Sequence, residues 1–136
     1  MTDLLDTSAA LGDFLALDSG LDALVNGRLY ADSDYPPPNY EPSDGGAVCW
    51  KPRQNTNPFD TQENNGIVVV NFQIVSFGAD RAGAAAVDRA LFAALDGKGG
   101  AVMRYAVMDG MGAPLLAPDT NWPMVLTFYT CKFSNQ

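Results

Sequence analysis

Between Gly66 and Phe77 apolar residues fill alternate positions so consistently that the segment is read as an extended strand. Val68, Val70, Phe72 and Ile74 fall on one face, and Ile67, Val69, Asn71, Gln73, Val75 and Phe77 on the other. The first face has to be core. The second joins apolar ends to a polar middle, the pattern of a sheet face covered in part by a helix or by a neighbouring subunit. Gly78 closes the strand, and Asp80 stands where it can cap a helix running to about Asp96. In that helix Ala84, Val87, Leu91, Ala94 and Leu95 form one stripe, and Gly97 follows its end. Phe92 lies about 100° round from the stripe centre, at the boundary near Asp88, where it makes either a satellite core contact or a partner contact.

The remaining elements arrange themselves around this strand and helix. Leu4, Leu5, Leu11, Phe14 and Leu15 recur at helical spacing over Leu4 to Leu17. Ser19-Gly20 interrupts them, and residues 21–26 supply a further turn ended by Gly27. From Ala31 to Asn65 the chain is rich in Pro, Asn, Asp and Gly and reads as a long loop, with one short edge strand at Ala47-Val48-Cys49-Trp50-Lys51 stopped by Pro52. Ala101 to Met108 and Met124 to Phe133 alternate as two more strands, the last through Val125, Thr127, Tyr129, Cys131 and Phe133. Asp109 to Pro123, with three Pro and two Gly, reads as a projecting loop carrying Leu115, Leu116 and Trp122. The expected fold is one α+β domain over residues 1–136. About four antiparallel or mixed strands pack against two main helices, and residues 31–65 form an acidic Pro-rich arm.

Composition removes several kinds of chemistry. The 136 residues include no His, which excludes His-based triads, His proton shuttles and His metal sites. Cys49 and Cys131 are too far apart for a CxxC motif and read as small buried apolar residues. Gly97-Lys98-Gly99-Gly100 lacks the spacing of a phosphate loop and reads as a turn. No apolar run approaches the ~18 residues of a membrane span, and Met1-Thr2-Asp3-Leu4-Leu5-Asp6 lacks a basic leader, so the expectation is a soluble chain that is intracellular when made.

Charge is strongly lopsided. Residues 1–44 hold nine acids and one base, Arg28, while the rest hold seven of each, so the net −8 belongs wholly to the first third. A free monomer of this kind is a poor duplex binder, because phosphate contacts need clustered Lys and Arg. A solvated acidic face is the plain expectation.

The run from Leu15 to Tyr30 (LALDSGLDALVNGRLY), followed by a Pro-rich loop, resembles the opening of tail terminator (tail completion) proteins of tailed bacteriophages. The order of the later half is similar too, since Val68-Val69-Val70-Asn71-Phe72-Gln73-Ile74 precedes the Ala-rich stretch Arg81 to Leu95 and a last strand closes the chain. The resemblance departs from the family in its very long acidic loop and in lacking a Pro-aromatic strand directly after Tyr30. It implies a structural virion protein without catalysis or cofactor. Such a protein forms a ring, commonly a hexamer, that caps the tail tube, ends tail growth and joins a head completion or neck protein, while DNA passes its lumen without specific binding. It implies assembly in the host cytoplasm and a final place in the tail or neck of the virion.

On this reading the interface candidates are Tyr35, Tyr40 and Trp50 in the arm, Leu115, Leu116 and Trp122 in the projecting loop, and Phe92. Trp50 and Trp122 border strands and can equally cap the core. Asp32, Asp34, Glu41 and Asp44 become candidates for a DNA-repelling lumen, or else face solvent or pair with a basic neighbour. Two readings of other kinds stand beside this one: another phage neck component, such as a head completion or connector protein, and a carboxylate enzyme whose best pair would be Asp109 and Asp119.

Overall fold

The computed structural model describes residues 6–53, 67–100, 102–117 and 122–134. Three helices lie on one face of a five-stranded sheet. In chain order the elements are α1 (Thr7–Ala16), α2 (Ser19–Val25), β1 (Leu29–Ala31), a 3-10 turn (Pro42–Asp44), β2 (Ala47–Pro52), β3 (Ile67–Phe77), α3 (Arg81–Leu95), β4 (Met103–Leu116) and β5 (Pro123–Ser134). Across the sheet the order is β1-β2-β3-β5-β4, with β1 and β2 parallel and every other pair antiparallel. This is the expected α+β class with a mixed sheet.

Each helix begins on an aspartate. Asp6, Asp18 and Asp80 accept the backbone N–H of Ala9, Leu21 and Gly83 at 3.1, 2.8 and 2.6 Å. Two members of the acidic first third are therefore helix caps as well as surface charge. Leu4 and Leu5, which the periodicity assigns to α1, lie outside the described residues.

The main core forms between the helices and the sheet. Leu11, Leu15, Leu21 and Val25 meet Val48, Trp50, Val70, Phe72 and Ile74, with Leu91 and Leu95 above and Tyr129, Cys131 and Phe133 beside them. Trp50 organises the α1 side. Its indole N–H donates to the Ser8 carbonyl at 3.0 Å, and a Cβ on Gly12 would come within 2.9 Å of its ring, so α1 can rest on the indole only because Gly12 has no side chain.

The structure corrects the sequence reading in three places. First, the sheet has five strands, because Leu29-Tyr30-Ala31 pairs in parallel with Val48-Cys49-Trp50. Parallel neighbours need a crossover, and residues 32–46 supply it, so this part of the expected loop is a connection laid across the sheet; residues 54–65 lie outside the described residues. Second, the expected loop from Asp109 to Pro123 is mostly strand. β4 continues to Leu116 through register shifts at Met108/Gly110 and Gly110/Ala113, and Pro114 is tolerated because β4 is at the sheet edge. Third, Ser19-Gly20 is not a break but the start of a capped helix, α2, which follows the interruption at Leu17-Asp18 and is ended by Asn26 and Gly27, both in the left-handed conformation.

Candidate assembly interface

The crossover folds the arm's aromatics inward. Tyr40 is buried, donates its hydroxyl to the Gly45 carbonyl at 2.7 Å, and meets Trp122 and Phe77 edge-on at centroid distances of 5.4 and 6.4 Å. With Ala47, Cys49, Val75 and Ala117 it makes a second small core on the sheet face opposite the helices. Burial pushes its phenol up to about 12. Tyr40 is thus corrected from a contact residue to a core residue, and Trp50 takes the core place that its strand border equally allowed, since each aromatic ring has a hydrogen-bonded place inside the chain. Trp122 is half-buried against the same second core.

The other candidates are exposed. Tyr35 stands at the arm's turn, Phe92 projects from α3, and Leu115 and Leu116 are 43% and 48% exposed at the end of β4. Tyr35 lies beside Met124, the register partner of Leu115, whereas Leu116 points to the opposite sheet face and Phe92 stands on α3.

The four candidate lumen acids are each engaged within the chain. Asp32 accepts from the Ser8 hydroxyl at 2.7 Å. Asp34 holds Lys51 at 2.8 Å and the Gln73 amide at 2.9 Å, and Asp44 accepts the Glu41 backbone N–H at 3.1 Å in a reciprocal capping box. Asp32 and Asp34 lie at the Trp50-Lys51 end of β2, and Glu41 and Asp44 at its Ala47 end.

Sequence reasoning left three surface features unassigned. The first is the uncovered half of the second sheet face, where Val69, Tyr105 and Val107 are exposed around Asn71, Thr130 and Lys132. Arg53 closes its margin, 4.5 Å over the Phe128 ring and 3.6 Å from Asp109. The β3 alternation signalled this face, but not which half stays open.

A second feature is the edge of β4. Gly97 N–H donates to the Ala106 carbonyl, Ala106 N–H to Lys98, Gly100 N–H to Met103, and Met108 N–H to the Asp96 carboxylate. The turn after α3 therefore blunts the edge from Met103 to Met108 against unwanted pairing. The third feature is a groove of about 640 Å³ between α1 and the Gly99–Met103 turn, floored by Ala10, Phe14, Val102 and Met103 and rimmed by Asp6 and Asp13.

Among the described residues, the cysteines and Asp109 each have a place in the fold. Cys49 and Cys131 are buried free thiols belonging to the cores on opposite faces of the sheet, and burial pushes each up to about 12. Asp109 pairs with Arg53, and Asp119 lies outside the described residues. Among the described residues no three potential ligands gather around a metal-sized space, and no helix is long and apolar enough to cross a membrane.

Comparison with known proteins returns a fold. A chain from a structure titled "Virion of native gene transfer agent (GTA) particle" superposes with a TM-score of 0.62 at 19% identity, over 96% of this chain and 95% of that one. The whole architecture is shared. No protein-family model matches the chain, and no curated protein matches it.

Proposed function

We propose that this chain is a structural protein of a phage-like virion, with the role of a tail terminator. It forms a ring that caps the tail tube, ends its growth and offers the surface to which a head completion or neck protein binds. The observation that carries this reading is the end-to-end likeness to a chain of a gene transfer agent virion, 96% against 95% in coverage. The element order and the Leu15 to Tyr30 segment support the terminator role within that class. The exposed residues Tyr35, Phe92, Leu115 and Leu116 serve as contacts, and the open sheet face adds a second surface. The chain uses no metal or cofactor, meets no membrane, assembles in the host cytoplasm and ends in the tail or neck.

In such a ring the acidic first third repels DNA in transit. Asp34 already carries Lys51 as a counter-ion, so Asp32, Glu41 and Asp44 are the stronger lumen candidates. Replacing these three by their amides slows genome ejection if they line the lumen; unchanged ejection removes them from it.

Electron microscopy of particles made with an early stop in this reading frame tests the role. Headless tails of uncontrolled length are the expected outcome. Tails of normal length beside unfilled or leaking heads would move the protein to a head completion or connector position, and normal infectious particles would end the virion reading.

A further inference from the structure

The corner between α2 and β1 is built on two consecutive left-handed residues. Asn26 closes α2 with φ 46° and ψ 51°, its N–H donating to the Asp22 carbonyl at 2.7 Å, and Gly27 follows with φ 79°. A Cβ on Gly27 would meet nothing within 4 Å, so the backbone angle, not space, calls for glycine there. Asparagine, with its short polar side chain, is among the few other residues that visit the left-handed form. The fold thus selects Asn-Gly at this corner. The same pair is chemically labile, because glycine puts no side chain in the way when its backbone nitrogen attacks the preceding side-chain amide. Both residues are exposed, and among the described residues the Gly27 N–H has no hydrogen-bond acceptor. The three Asp-Gly pairs of the chain are better held: the Gly45 and Gly97 N–H groups donate to the Pro42 and Ala106 carbonyls at 3.1 and 2.7 Å, and Asp109 faces Arg53. Asn65-Gly66 lies outside the described residues.

In the folded chain the attack is held off. With ψ at 51° the Asn26 Cβ lies on the far side of the Cα–C bond from the Gly27 nitrogen, so the side-chain carbon cannot reach that nitrogen until the corner rotates. We infer that Asn26 is a latent modification site, shut by the left-handed cap of α2 and opened whenever the last turn of that helix frays. Once it is open, the Gly27 nitrogen loses its proton to hydroxide and bonds to Asn26 Cγ, the Cγ–Nδ2 bond breaks, and the side-chain nitrogen leaves as ammonia. Water then opens the cyclic imide at either carbonyl, giving aspartate or an isoaspartate whose backbone runs through Cγ. Isoaspartate lengthens the corner by a methylene and cannot resume the cap. The bonds at stake are those of Arg28: its N–H donates to the Val25 carbonyl at 2.9 Å, its carbonyl accepts the Val48 N–H at 3.0 Å, and its Nε donates to the Gly46 carbonyl at 2.7 Å. They seat β1 on β2 and fasten the end of the crossover, so modification at Asn26 loosens the sheet at its β1 edge, whether or not the chain forms a ring.

The full-length chain, held at mildly alkaline pH and then digested with trypsin, tests this by mass spectrometry of the peptide ending at Arg28, the first base in the sequence. Asn65-Gly66 falls on a separate tryptic peptide, between Arg53 and Arg81. Wild-type Asn26 should convert at least about tenfold more slowly than in the same peptide free in solution, where no cap holds the corner. Asp18→Ala removes the carboxylate that accepts the Leu21 N–H at the start of α2 and should move the rate towards that of the free peptide. Where that variant does not fold, a series of low urea concentrations on the wild type opens the helix end instead. In converted chains the Val48 amide should lose hydrogen-exchange protection while Ile74, paired on both sides in the sheet centre, keeps it. Asn26→Gly keeps a left-handed corner without the side-chain amide and should retain Val48 protection through the same incubation. Conversion of wild-type Asn26 at the free-peptide rate, no conversion even in the free peptide, or a rate unmoved by opening α2 would each overturn the inference. So would converted chains in which Val48 stays protected, or an equal loss of that protection in Asn26→Gly.

Discussion

The two faces of the sheet are built by different means. On the helix side three amphipathic segments lay continuous apolar stripes over Val70, Phe72, Ile74, Tyr129, Cys131 and Phe133, and all six are fully buried. On the other side, among the described residues, an irregular crossover covers the end near Phe77, pinned by Tyr40, and Val69, Tyr105 and Val107 are exposed. A closed face stabilises the fold; a half-open face of the same sheet is free to be used by another molecule. The difference teaches that residues equivalent in strand alternation need not be equivalent in energy, because what matters is what packs over them.

Breaking the closed face has the largest effect. Trp50→Ala removes the indole under α1 together with its bond to Ser8, and leaves a space facing Gly12 that the helix backbone cannot fill. A loss of roughly 4 kcal/mol is expected from chemical denaturation, with α1 losing amide protection first under hydrogen exchange. A change below about 1 kcal/mol would mean that α1 is not held by this residue.

A pair of identical substitutions then sharpens the contrast within the second face. Val75, 3% exposed, lies under the crossover, whereas Val107, 38% exposed, lies on the open half. Val75→Lys buries a charge among Tyr40, Cys49 and Phe77 and costs roughly 3 kcal/mol or more, while Val107→Lys stays within about 0.5 kcal/mol. Equal costs would erase the distinction between covered and open halves. If the open half is an assembly surface, Val107→Lys instead lowers incorporation into particles.

High pH probes both faces together. Cys49 and Tyr40 on one side and Cys131 on the other have pKa values raised by burial, the thiols from 9.0 to about 12 and the phenol from 10.0 to about 12. A group that holds its proton more tightly when folded adds no pH slope below its unfolded value. Its contribution is then lost as the unfolded chain releases the proton first. Melting temperature should be flat up to about pH 9 and fall between about 9 and 12, with the thiols unreactive towards alkylation until that fall begins. Labelling at neutral pH at the rate of an exposed thiol would show that a core opens readily.

These contrasts also mark what could be read from sequence. β3, α3 and the cap at Asp80 were legible because each is specified by neighbours along the chain: period-2 alternation, a 3.6-residue stripe, and one side chain three residues from its acceptor. The three residues of β1 were not, since they take strand form only against Val48 to Trp50, across a crossover. Gly110 and Pro114 are locally turn signals, and pairing with β5 overrides them. Tyr40 looked like a contact residue because Pro-rich surroundings usually lie at the surface, and nothing local announces that Phe77 and Trp122 will close round it.

The smallest effect expected is at the seam between the covered and open halves, where Asp34 holds Lys51 and Gln73 beside Tyr35. Both charged side chains are about two-fifths exposed, so water and salt screen the pair, and Asp34→Asn should cost at most about 0.5 kcal/mol while keeping one acceptor for Gln73. The effect should shrink further at high salt. A cost several times larger, insensitive to salt, would mean that Asp34 anchors the start of the crossover as firmly as Tyr40 anchors its middle. The boundary of the closed region would then shift by one strand position, from Val75 towards Gln73, and the open half would be correspondingly smaller.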